Sequence, residues 1–182
     1  MSQAIGLIEL RSVAIGIKVA DEMIKSADIE ILIAQTVCPG KYILLFTGKL
    51  SDINAAIDTG IKNYEQQIID YFILGNPAES IFSALYGTTE IGNVEALGII
   101  ETYTVASVIV AADQAAKTAN IRLMDIRIAR GMSGKSYVLF CGDLAAVEAS
   151  TKKACDEISK GGFLLNYSII PNPDSRLWET LL

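Results

Sequence analysis

The feature that most constrains this 182-residue chain is that it nearly repeats itself. Sliding the sequence by 92 positions sets Ala4-Ile5-Gly6-Leu7-Ile8-Glu9 on Ala96-Leu97-Gly98-Ile99-Ile100-Glu101. Val13-Ala14, Ile17, Ala20-Asp21, Lys25, Ala27 and Ile29 then fall on identical residues, and from Ala4 to Ile29 12 of 26 positions agree. A two-residue insertion in the second copy moves the offset to 94, where Gly40-Lys41 meets Gly134-Lys135 and Leu45-Phe46 meets Leu139-Phe140. Gly48, Leu50, Ala55 and Pro77 follow the same offset onto Gly142, Leu144, Ala149 and Pro171. A repeat of this length is one supersecondary unit used twice. It divides the chain into a first domain over residues 1–90 and a second over 91–182, joined by the linker-like run Gly87 to Asn93.

Each copy reads as an α+β unit. A strand (4–10; 96–102) precedes a helix whose apolar positions Val13, Ile17, Ala20 and Ile24 keep helical spacing. The second copy has Ala106, Ile109, Asp113 and Ala116 there, a softer and Ala-rich pattern. Two strands follow, 30–37 and 42–47, with only Cys38-Pro39-Gly40-Lys41 between them; their counterparts are 122–129 and 136–141, joined by Arg130 to Lys135. Segments this short permit a hairpin but no crossover. A second helix carries Ile53, Ile57, Ile61 and Tyr64, or Val147, Thr151, Ala154 and Ile158. A fourth strand (68–74; 163–170) and a short terminal helix close each copy. The expected architecture is a mainly antiparallel four-stranded sheet, twice, with helices packed on it.

Composition narrows the function. Apolar residues make up 51% of the chain, charged residues 20%, and mean hydropathy is +0.38. That is too apolar for a disordered chain. The nearly apolar run Val105 to Ala112 is far short of the roughly 20 residues a membrane helix needs. The first residues lack the basic and apolar segments of a secretory signal, so the sequence reads as cytosolic. A net charge of −6 argues against nucleic acid as a partner. The absence of His removes imidazole bases, His triads and His-ligated zinc. Small residues (Gly16, Ala20, Ala111, Ala112, Ala115, Ala116) would let backbones approach closely. Three such chains would present six similar wedges about one axis.

Few residues carry chemistry. Ala129 to Ser136 satisfies a relaxed phosphate-loop pattern through Gly134-Lys135-Ser136, but that mechanism needs the Lys-Ser to open a helix, and here a strand pattern follows. A nucleotide-dependent enzyme is the weakest reading. Glu9 and Glu101, Asp21 and Asp113, and Lys25 and Lys117 are each duplicated, which suits folding or interfaces better than a single catalytic site. Cys141 and Cys155 lie on apolar stripes and read as small buried hydrophobes. Cys38 differs, because it occupies a turn. Alone it cannot complete a metal site, which wants about four ligands, unless symmetry brings copies together.

The paired Ala-(Ile/Leu)-Gly-(Leu/Ile)-Ile-Glu strands, each followed by Ala-Asp-x-x-x-Lys-x-Ala, resemble tandem bacterial microcompartment (BMC) shell domains across essentially the whole chain. Met1-Ser2-Gln3-Ala4-Ile5-Gly6 together with Cys38-Pro39-Gly40-Lys41 adds a likeness to the T-type branch found in propanediol-utilisation compartments. The resemblance implies a structural shell protein, not an enzyme. It would be a flat homotrimer mimicking a hexamer and tiling edge to edge with other shell proteins in the compartment shell, within the cytoplasm. It implies that the loops Pro39-Gly40 and Gly131-Met132-Ser133-Gly134 line a central pore. It implies one [4Fe-4S] cluster per trimer, held by Cys38 of three chains, for electron transfer or cluster supply, with lumenal redox enzymes as further partners. Lys25 and Lys117 match the family's edge lysines. The basic residue many members carry in the Pro-x-Pro segment is missing from Asn76-Pro77-Ala78-Glu79 and Pro171-Asn172-Pro173-Asp174. The alternative within the same class is a metabolite-conducting pore with Cys38 free.

Overall fold

The computed structural model describes residues 4–90 and 92–178. Residues up to Pro77, together with Thr104–Ala106 and Ala129–Gly134, form one compact unit; the remaining described residues form a second.

In the first unit the chain runs β1 (Ala4–Leu10), α1 (Val13–Ser26), β2 (Ile29–Val37), β3 (Lys41–Gly48), α2 (Leu50–Tyr64), a single 3₁₀ turn (Glu65–Gln67) and β4 (Ile68–Leu74). The sheet order is β2-β3-β1-β4, and every pair is antiparallel. All seven residues of β1 are buried, as its nearly unbroken apolar run requires of a central strand. β2 is exposed or half-buried along its length except at Val37, as befits an edge strand. α1 and α2 pack against each other and onto the sheet, around Ile8, Leu10, Met23, Leu44, Phe46 and Ile53.

The second unit repeats the plan. It contains α3 (Ser80–Leu85), β5 (Ala96–Thr102), most of α4 (Val105–Thr118), β6 (Arg122–Ile128), β7 (Ser136–Gly142), α5 (Leu144–Ser159), β8 (Leu164–Pro171) and α6 (Ser175–Trp178). Its sheet order is β6-β7-β5-β8, antiparallel throughout. Even the irregularities recur. The register shifts after Glu9 in the β1–β4 pairing and after Glu101 in β5–β8, and likewise after Ile31 in β2 and Leu123 in β6. A bulge turns side chains to new directions, and one stands beside each glutamate.

One sequence expectation is corrected. The buried face of α1 is Gly16, Val19, Ala20 and Met23, and of the expected stripe Val13, Ile17, Ala20 and Ile24 only Ala20 is buried. Ile17 is 55% exposed, whereas Ile109, its counterpart on α4, is 1% exposed. Gly16, by contrast, sits directly on Tyr42. A Cβ at Gly16 would lie 2.4 Å from Cβ of Tyr42, so only glycine lets α1 approach β3 on that side. The helix turns its smallest residue inward and leaves one isoleucine stripe outside.

Candidate functional site

The β2–β3 turn is tight. Cys38, Pro39 and Gly40 separate the two strands, the Cys38–Pro39 peptide bond is cis, and the Gly40 N–H donates to the Val37 carbonyl at 3.0 Å. Gly40 has φ +101°, a conformation other residues rarely adopt. The loop Ala129–Gly134 of the same unit curls around this turn. It can do so because four of its residues, Ala129, Gly131, Ser133 and Gly134, have positive φ. The Cys38 N–H donates to the Ala129 carbonyl at 3.0 Å, and the Gly131 N–H donates to Cys38 Sγ at 3.4 Å. The Arg130 guanidinium donates to the Gln35 side-chain carbonyl. Gly134 is needed twice over. It has φ +87°, and a Cβ there would stand 3.0 Å from the Cys38 carbonyl oxygen. Thus the expected loop residues Pro39, Gly40, Gly131, Met132, Ser133 and Gly134 cluster about Cys38, with Pro39, Gly40, Gly131 and Ser133 exposed.

Beneath the turn lies a polar anchor that periodicity does not reveal. The Glu9 side chain is fully buried and accepts from Lys41 Nζ at 2.7 Å. Its other carboxylate oxygen accepts from the Val105 N–H at 2.8 Å and from the Ala106 N–H at 3.4 Å. Glu9 therefore caps the N-terminus of α4, where free N–H groups and the helix dipole favour an anion. Asp70, opposite Glu9 on β4, accepts from the Thr104 hydroxyl at 2.6 Å, and Lys41 Nζ also donates to the Gly134 carbonyl at 3.4 Å. Burial pushes the Glu9 carboxyl above its ordinary range, against the opposing pull of Lys41 and the two N–H groups. The sequence signal that could have found this anchor was the joint duplication of Glu9 and Lys41.

The other cysteines behave as small apolar residues. Cys141 and Cys155 are buried, and burial raises both thiols, Cys155 to about 11. Cys38 is half-buried at the turn. Among the described residues, no cluster of three His, Cys, Asp or Glu side chains within one chain could hold a metal. The chemistry of the position suits a thiolate ligand: Sγ is reachable from outside and accepts an N–H, and its backbone is clamped on both sides.

Gly134-Lys135-Ser136 leads into β7, so no helix N-terminus stands behind it to receive a phosphate. Lys25 and Lys117 occupy the last turns of α1 and α4. Lys25 pairs with Asp21 at 2.6 Å on open surface, whereas Lys117 pairs at 2.6 Å with a buried Asp113 that also accepts the Ala78 N–H at 2.9 Å.

Residues 4–77 and 96–173 each match the BMC domain, and the chain belongs to that family. Two such domains in tandem define a structural shell protein of a bacterial microcompartment. Over 182 residues, all of this chain and 99% of the relative, it is 36% identical to the bacterial microcompartment shell protein PduT of Citrobacter freundii. The crystal structure of a microcompartment protein from Desulfitobacterium hafniense DCB superposes with TM-score 0.86 at 40% identity, covering 98% of this chain and 99% of that one. A fused permuted hexameric shell protein of the RMM microcompartment shares the fold, with TM-score 0.65 at 21% identity over 87% of this chain and 82% of its own. No helix among the described residues is long and apolar enough to cross a membrane.

Proposed function

We propose that three copies of this chain form a ring-shaped tile of a microcompartment shell, and that Cys38 of each copy supplies one thiolate to a [4Fe-4S] cluster at the tile's centre. One observation carries the reading: the only cysteine outside the buried cores sits on a turn whose backbone and sulfur are both held by the Ala129–Gly134 loop. That arrangement fixes a sulfur at the surface without completing a ligand set, which is what a site shared about a rotation axis requires. When bound, such a cluster supplies one-electron chemistry, with an iron that has no protein cysteine. The chain's own part is to hold Cys38 in place: Gly131 donates to the sulfur, Ala129 fixes the turn's backbone, and Glu9 with Lys41 anchors both segments from below.

The remaining loop residues surround the opening through which electrons, or clusters destined for lumenal redox enzymes, would pass. Lys25, at the exposed end of α1, and Lys117 serve as edge contacts to neighbouring shell proteins. The test is anaerobic purification with iron quantitation and sedimentation. About four iron atoms per three chains are expected, with brown absorbance. Cys38→Ser should abolish both and leave the trimer intact. An iron-free wild-type trimer would make the tile a plain metabolite pore, and loss of the trimer in Cys38→Ser would make the cysteine structural.

A further inference from the structure

The Glu9 anchor has a second, unfilled copy. Glu101 follows the same strand pattern as Glu9 and precedes the same bulge. Lys135 corresponds to Lys41, and Asn166 stands opposite Glu101 on β8 as Asp70 stands opposite Glu9 on β4. Glu9 and Lys41 are engaged with each other, and Glu9 also engages Val105 and Ala106. Among the described residues, the Glu101 and Lys135 side chains have no such partner. The receiving end is duplicated too. Ser12, Val13 and Ala14 match Thr104, Val105 and Ala106. Yet α1 has no side-chain cap and no acidic residue in its first turn. Its isoleucine stripe is bare as well: Ile17 and Ile24 are exposed, while Ile109 is buried and Ala116 half-buried on α4.

A donor half and an acceptor half, each open and each the copy of a closed contact, point to one occupant: a second copy of this chain. Resting on the ring proposed above, we infer that Glu101 of one protomer caps α1 of the next, accepting from the N–H groups of Val13 and Ala14 with Lys135 as its counter-ion. Ser12 then faces Asn166 of the neighbour as Thr104 faces Asp70, and Ile17 and Ile24 become buried. The interface is head-to-tail, and it closes a ring because every glutamate finds the helix of the following repeat. Glu9 makes the contact inside a chain, and Glu101 makes it between chains.

The experiment uses full-length protein, with sedimentation equilibrium and native mass spectrometry across a concentration series. Glu101→Ala is expected to weaken assembly by about tenfold or more, the scale of a lost hydrogen bond to a charged group, with the monomer's unfolding midpoint unchanged. In parallel, Glu101→Cys with Ala14→Cys, in a Cys38→Ser background, is treated with a short bismaleimide. Covalent dimers and trimers on a denaturing gel are expected, and neither single variant should give them. A wild-type chain that stays monomeric overturns the ring itself. A wild-type trimer that tolerates Glu101→Ala and yields no cross-link overturns the cap and leaves the ring standing.

Discussion

The Glu9 carboxylate, without exposed surface, accepts the Lys41 ammonium at 2.7 Å from 32 residues away. This pair, together with the Val105 and Ala106 N–H groups, locks β1 and β3 to the first turn of α4. Removing the carboxylate leaves a nearly buried ammonium and open helix donors, and breaking a buried pair in this way costs about 3–5 kcal/mol. Glu9→Ala should therefore lower stability by that order, read as a shift of the urea midpoint at neutral pH.

The same carboxyl gives a pH dependence of defined sign. Burial raises the Glu9 pKa in the folded chain, so over the window from its unfolded value of 4.5 up to the raised value the folded state holds more protons. Stability from this group accordingly falls as pH rises through the window and is flat on either side. Glu9→Gln has no proton to lose. The stability of wild type relative to Glu9→Gln should therefore decline with rising pH in that interval, in urea titrations at half-unit steps. A wild type that gains on Glu9→Gln as pH rises would mean that Lys41 outweighs burial.

The three thiols should separate by reactivity. Burial pushes Cys155 up to about 11 and raises Cys141, while Cys38 stands at an accessible turn. Since the thiolate is the nucleophile, iodoacetamide at pH 8 should add one label per chain to cluster-free protein, and none to Cys38→Ser. Intact mass after brief exposure reads the count. Two or three labels would show that the cores open on that timescale.

Much of this fold is legible because its strands are short apolar runs bounded by Gly, Pro or charge. β1, β4 and β5 span the residues that hydropathy alone marks, and the hairpin turn at Cys38 follows from its four-residue spacing. The α1 face was not legible, because a helix apolar on several sides offers two stripes. The buried one carries Gly16 against Tyr42, a contact between residues 26 apart. The anchor was hidden for a similar reason. Glu9 reads as one charge in a strand, and only the fold brings it to the first turn of a helix 96 residues later.

Close packing at a duplicated glycine gives a graded expectation. A Cβ at Gly6 would meet Ile53 and Phe46 side-chain atoms at 2.9 Å, while one at Gly98 would meet the Phe140 ring at 2.3 Å. Phe140 is fully buried, so its ring must move within a packed core. Overpacking of this kind costs about 1–3 kcal/mol. Gly98→Ala should fall at the upper end and Gly6→Ala below it, by urea midpoints. Equal losses would show that the second core yields as readily as the first.

One sequence pattern, Asp-x-x-x-Lys at the end of a helix, sits in two environments, and its two copies should answer mutation differently. Asp21 and Lys25 pair on open surface, where solvent screens the charges and the two long side chains lose freedom by meeting. Asp113 is buried, holds Lys117 with one oxygen and takes the Ala78 N–H with the other, just ahead of α3. Asp113→Ala leaves that N–H without its acceptor, an effect of about 1–3 kcal/mol for a buried donor. Asp21→Ala removes only a solvated ion pair, and its unfolding midpoint should match wild type within measurement. Asp113→Asn keeps an acceptor for Ala78 while losing the charge that faces Lys117, so it should recover most of the loss. If Asp113→Asn is as damaging as Asp113→Ala, the lysine pair carries the stability and the backbone contact does not.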